Sequence, residues 1–207
     1  MPLARSTRER FVAEVEEAVL GMVATVQGRL AALADLSGNA RDQQSRRDNL
    51  LDFIRLRDAW IQAVRQAWRQ ALASPGLAAL RREDQRGKGL ELVGDDEVEN
   101  AILVSRLGLV ITERVSWEFK DVRLRIMSLE NQRELAERDV LKPETFIAIL
   151  VQRWMACGLS RPGWTAVQDS IAPLLGDRML AAYQHANEAL IRAGVRIPPC
   201  SSPSRRC

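Results

Sequence analysis

Apolar residues recur along this chain at steps of three and four, the spacing that gathers side chains onto one face of an α-helix. Phe11, Val15, Ala18, Val19, Met22, Val26, Leu30 and Leu33 form the first such stripe. Ser6 followed by Glu9 predicts a capping-box start for it, and Ser37-Gly38-Asn39 a stop. A second helix is expected over about 43–73, with Leu50, Ile54, Ile61, Val64, Trp68 and Leu72 on one face and Phe53, Leu56 and Trp60 widening it. Ser74-Pro75-Gly76 should end it, because proline lacks a backbone donor and disfavours helical geometry in the residue before it.

A polar, glycine-containing connection follows over 81–94. Leu90, Leu92 and Val93 could extend there, but no alternating partner segment exists to make a sheet. Asp95, Asp96, Glu97 and Glu99 then favour a helix start through capping and the helix dipole. Val104, Leu107, Ile111, Val115, Val122, Ile126 and Leu129 carry the pattern onward, with Trp117 and Phe119 alongside. This predicts one long helix over about 96–137, a rod of roughly 60 Å. Three shorter helices are expected after it: one opened by Pro143 and closed before Gly158, one from Ser160 and Pro162 to Gly176 with Pro173 in its last turn, and one from Asp177 to a C-cap at Gly194. The composition of 200–207 predicts a disordered tail.

The expected fold is therefore all-α, a bundle of about six helices. Its parts are an N-terminal helical hairpin over 1–80 and a long helix with a three-helix unit over 90–199, separate or continuous with the hairpin. Of the 207 residues 46% are hydrophobic and 5% aromatic, so aliphatic side chains must supply most of the packing. Trp accounts for 5 of the aromatic residues. Trp60, Trp68, Trp117 and Trp154 are candidates for an interface as well as for core, since buried indoles anchor both.

The net charge of +3 permits contact with nucleic acid, but the basic residues are spread among carboxylates. Arg41, Arg46, Arg47, Arg81, Arg82, Arg86 and Lys88 are the candidates for such a contact, against a solvated face with local ion pairs. No apolar run suggests a membrane span, and charges near the start argue against a signal peptide, which places the chain in the cytoplasm as an expectation. Cys157 suits a core position. Cys200 and Cys207 lie on the tail, and three scattered cysteines do not make a disulfide framework.

No catalytic pattern emerges. His185 is the sole histidine and cannot build a histidine metal cluster. Gly87-Lys88-Gly89 lacks the rest of a phosphate-binding loop, and the acidic run at 95–99 lacks the ligand spacing of a calcium loop. No cofactor or metal is implied.

The stretch Leu90-Glu91-Leu92-Val93-Gly94-Asp95-Asp96-Glu97-Val98-Glu99, the mixed segment Gln44 to Trp68, and the run Tyr183-Gln184-His185-Ala186-Asn187-Glu188-Ala189-Leu190-Ile191-Arg192-Ala193-Gly194-Val195 together carry a resemblance. Over 40–199 the chain resembles the N-terminal part of the proteobacterial domain-of-unknown-function 1631 family. There a leucine-rich acidic segment opens a long helix, and a tyrosine-asparagine-glycine element ends the module. Gly94 stands where that pattern has an acid, and Asp139-Val140-Leu141-Lys142-Pro143 replaces its asparagine-proline-leucine-glycine-proline turn. The family's large C-terminal part has no counterpart here. The resemblance implies a helical architecture and a bacterial origin. Members sometimes carry the label thymidine phosphorylase, but this chain shows no nucleoside or phosphate site, so no activity carries over.

Sequence alone thus leads to a non-enzymatic adaptor or regulatory scaffold acting through protein contacts, with a homo-oligomer among the expected forms. Its rivals are an arginine-mediated nucleic-acid binder and a sensor of a small signalling nucleotide.

Overall fold

The computed structural model describes residues 2–73 and 95–197, with 95–98 described by backbone alone. Among the described residues five helices follow in order: α1 Pro2–Ala34, α2 Ala40–Ala73, α3 Asp95–Glu130, α4 Pro143–Ala156 and α5 Arg161–Arg192. No strand occurs among the described residues. The stop at 74–76, the connection over 81–94, Pro198, Pro199 and the tail with Cys200 and Cys207 lie outside them.

Three expectations about boundaries need correction. The first helix begins at Pro2 rather than at Ser6, and the Thr7 hydroxyl donates back to the Leu3 carbonyl inside it (2.9 Å). The long helix ends at Glu130, seven residues short of the expected 137, because Asn131 adopts a left-handed φ of 53°. There the Gln132 amide donates to Met127 (3.0 Å) and the Asn131 amide to Ser128 (3.4 Å), closing the last carbonyls in a Schellman arrangement.

The third correction concerns the C-terminal unit. Two helices follow α3, not three, because the segments expected on either side of Gly176 form one continuous α5. Pro173 lies inside it on the exposed side, where water can satisfy the carbonyl that loses its donor. Across that point the buried stripe Trp164, Val167, Ile171, Leu175, Met179, Ala182, Ala186 and Leu190 runs unbroken. Gly176 is a close-approach site rather than a stop: a Cβ there would come within 2.7 Å of the Arg114 Cδ that crosses it from α3.

Side-chain pairs fix how the helices run. Arg65 reaches Glu16 and Arg57 reaches Gln27, so α2 runs back along α1. His185 meets Glu14 and Arg29 meets the Ala166 carbonyl, making α5 antiparallel to α1. Arg106 meets Asp169 and Arg114 meets Asp177, which sets α5 parallel to α3. With α4 seated between α3 and α2, the neighbours close into a ring in the order α1, α5, α3, α4, α2.

One contiguous hydrophobic cluster drawn from all five helices fills the ring. Near one end Trp154 stacks on Phe53 with centroids 5.6 Å apart and meets Trp60 and Trp164 edge-on, each at 5.3 Å. Elsewhere Trp68 stacks on Phe146 at 3.9 Å, and Phe11 lies 4.6 Å from Tyr183.

The apolar pattern predicts no run suited to a membrane, and α1 corrects that: an 18-residue window within it reaches a mean hydropathy of 1.2, enough by length and composition to cross a bilayer. In this fold its stripe from Phe11 to Leu30 lies against α2 and α5.

Candidate interaction surface

Of the four tryptophans singled out from the sequence, Trp60, Trp68 and Trp154 are wholly buried and cannot meet a partner in this fold. The correction follows from helix angle: each sits on the side of its helix that points into the ring. The Trp60 indole N–H donates to Leu150 (3.4 Å) and that of Trp154 to Ser160 (2.9 Å), so both also carry polar anchoring. Trp117 is the exception at 80% exposure.

Trp117 does not stand alone on α3. Leu109 is 73% exposed, Ile102 61% and Val110 52%. The same helix buries Leu107, Ile111, Val115, Val122 and Ile126 on its other side. At about 100° per residue the exposed group centres some 160° away from the buried one. Periodicity alone passes over Ile102, Leu109 and Val110, because it follows the stronger stripe. Their signal is the seven-residue recurrence of a second apolar set, 102 with 109 and 110 with 117, in a helix already supplied with a core face.

The candidate nucleic-acid residues do not form a strip among the described residues. Arg46 is drawn into structure: it donates to the carbonyls of Leu33 and Leu36 (each 3.4 Å) and of Asp42 (3.2 Å), tying the α1–α2 turn. Asn39 completes that turn, its Oδ1 accepting from the Asp42 amide (2.8 Å) as the α2 N-cap. Arg41 and Arg47 are exposed on α2, while Arg81, Arg82, Arg86 and Lys88 lie outside the described residues.

Polar chemistry inside the fold is devoted to holding helices in place. Arg8 donates to both oxygens of Glu130 (2.6 and 2.9 Å) and to Asp139 Oδ2 (2.6 Å), linking the start of α1 to the end of α3 and the following loop. The Asp139 side chain is 0% exposed and also accepts from the Leu141 amide (3.0 Å). Burial opposes the Arg8 charge, but its hydrogen bonds to Glu130 and Asp139 and the charges of those two carboxylates outweigh it and hold its pKa above the ordinary value. Tyr183 donates to the Leu141 carbonyl. Burial pushes the Tyr183 phenol well up, with the Glu144 and Asp139 charges adding to the shift.

A second bridge joins α3 to α5. Arg125 donates to Asn187 Oδ1 (2.6 Å), and Asn187 Nδ2 donates to Glu118 (2.6 Å to the carboxylate and 3.0 Å to the carbonyl). On the other flank Glu16 accepts from Arg65 (2.6 Å) and Arg69 (3.2 Å), joining α1 to α2.

Arg65 and Arg69 also line an open surface depression of about 490 Å³ with Gln62, Gln66 and Gln70, all of α2 and with no acid or nucleophile among its lining residues. None of the other groups converges on a cavity. The groove between α1 and α5, lined by Phe11, Glu14 and His185, holds about 30 Å³, room for roughly one water. His185 is exposed and pairs with Glu14 (2.8 Å). Burial raises the Cys157 thiol pKa against the opposing charge of Arg153, a direction away from an activated nucleophile. Among the described residues no group of three or more His, Cys, Asp or Glu could hold a metal ion.

No curated protein and no solved structure matches the chain. A family model described as the N-terminal domain of a protein of unknown function, DUF1631, matches residues 1–194. That match takes in the polar bridges, the ring and the exposed face of α3, and by it this chain belongs to the DUF1631 family, whose N-terminal domain it contains.

Proposed function

We propose that the chain is a non-catalytic interaction module, an adaptor or regulatory scaffold of the cytoplasm whose contact surface is the outward face of α3. The observation that carries this reading is the line of Ile102, Leu109, Val110 and Trp117, large apolar side chains left in water on a helix whose core face is already complete. Burying such a row returns about 25 cal/mol for each Å² of apolar surface, and contiguous exposed apolar patches mark contact sites in soluble proteins. The buried arginines, carboxylates and tryptophans add support, since their hydrogen-bonding groups serve helix placement rather than a pocket.

The test compares the intact chain with Leu109→Asp and Trp117→Ser variants. Crosslinking in cell extract and sedimentation of the purified chain should show an association, with itself or another protein, that both variants abolish while circular dichroism stays helical. An unchanged association pattern in both variants, or a folded chain with no association at all, would overturn the proposal.

A further inference from the structure

Between Glu99 and Lys120 eight residues share the exposed arc of α3: Glu99, Ile102, Arg106, Leu109, Val110, Glu113, Trp117 and Lys120. Wound at about 100° per residue they fall within about 100° of one another. Their order has a symmetry. About the midpoint between Leu109 and Val110, each residue has a counterpart of complementary character at equal distance: Ile102 with Trp117, Arg106 with Glu113, and Glu99 with Lys120.

We propose that the partner of this face is a second copy of the chain, its α3 laid antiparallel across the first about a two-fold axis at that midpoint. A two-fold contact uses the same patch on both subunits, so residue i meets residue j and j meets i. At the axis Leu109 meets Leu109 on one side of the seam and Val110 meets Val110 on the other. One layer outward Arg106 faces Glu113 twice, then Ile102 packs beside Trp117 twice, and at each end Glu99 faces Lys120. A parallel alignment would instead set Arg106 against Arg106 and Glu113 against Glu113, and like charges facing each other disfavour it.

The side chains are already disposed for this contact. At the ends of the seam Glu99 already pairs with Arg161 of its own α5 (2.8 Å) and shares that exposed carboxylate with Lys120 of the second copy. Lys120 Nζ sits 5.7 Å from the Trp117 ring centre, which holds the indole along the helix. Among the described residues Arg106 is tethered only by an exposed pair with Asp169 (3.3 Å), a contact weak enough to share its guanidinium with a second carboxylate. The seam from Glu99 to Lys120 is about 33 Å long at 1.5 Å per residue. A single helix-to-helix seam lies at the low end of specific interfaces, around 1,200 Å² in total, which suits a reversible dimer.

This inference rests on the reading of α3 as the contact face, and charge reversal separates the two. Sedimentation velocity of the full chain through the micromolar range should show monomer passing to dimer. Arg106→Glu and Glu113→Arg should each weaken self-association at least tenfold, because each sets like charges together twice. An equimolar mixture of the two variants should dimerise again, since each then supplies the opposite charge to the other at both places. Both positions are exposed, and circular dichroism checks that each variant is folded. A wild-type chain that stays monomeric, single variants that still dimerise, or a mixture that stays monomeric would each overturn the self-pairing. If the wild type stays monomeric yet binds another protein, and Leu109→Asp abolishes that binding, self-pairing fails and the α3 face still stands as the docking surface. If neither association exists, both fail.

Discussion

Asp139 offers the sharpest test of what holds the ring together. Its carboxylate is fully removed from solvent, accepts from Arg8 of α1, and accepts from the Leu141 amide that begins the approach to α4. Replacement by alanine leaves the Arg8 guanidinium partly buried with Glu130 and the Ala4 carbonyl (3.5 Å), and leaves a buried amide without its acceptor. Breaking one side of a buried ion pair costs about 3–5 kcal/mol, and an orphaned amide about 1–3 kcal/mol. Because Glu130 keeps both of its bonds to Arg8, the lower range of about 3–5 kcal/mol is expected for the whole change. In a chain of this size each kcal/mol lowers Tm by about 2–4 °C, so Asp139→Ala should melt roughly 6–20 °C below wild type. Asp139→Asn, which keeps an acceptor for Leu141, should fall between the two. Denaturant titration and calorimetry measure both. A loss under about 1 kcal/mol for the alanine variant would mean that water already reaches the carboxylate, and the account of Arg8 as the clamp between α1 and the α3–α4 loop would be wrong.

The tryptophans divide by burial: Trp154→Ala should cost about 3–5 kcal/mol by denaturant titration and Trp117→Ala less than about 0.5 kcal/mol. Gln168 is buried with both amide atoms unpartnered, so Gln168→Leu should raise the denaturation midpoint, by about 1–2 kcal/mol in stability. Tyr183 is the one tyrosine, so phenolate absorbance reports it alone. The unfolded phenol ionises near 10.0 while the folded one holds its proton to higher pH, so stability should be level below about pH 10 and fall as pH rises through the folded value. Tyr183→Phe should remove that alkaline decline, and a Tyr183 titration near pH 10 in the folded chain would contradict it.

Periodicity made most of the helical content legible, because the apolar stripe of each helix is a local property of sequence. Gly194 was readable as a cap for the same reason: its φ of 78° needs a residue without a side chain, and the Val195 amide closes onto the Leu190 carbonyl (3.0 Å). The end of α3 was not readable. The stretch from Asn131 to Lys142 keeps scattered apolar residues, and what takes it out of the helix includes a pairing of Asp139 with Arg8, 131 positions away. Pro173 and Gly176 misled in the opposite direction, since each usually ends a helix. Here a proline on the wet side and a glycine under the Arg114 stem cost less than abandoning the buried stripe. For the contact surface, the sequence showed which residues were large and apolar but not which helix face the ring would consume. That is why three of four tryptophans proved internal.

The closed ring also constrains the order of events on the ribosome. α1 lies against α5, yet 126 residues separate the end of one from the start of the other. At about 5–20 residues per second, the first helix is complete roughly 6–25 s before translation of its neighbour begins. During that interval its stripe from Phe11 to Leu30 lacks the helix that covers it most extensively. A nascent chain halted before Arg161 should therefore engage holding chaperones, and release should coincide with synthesis of the final helix.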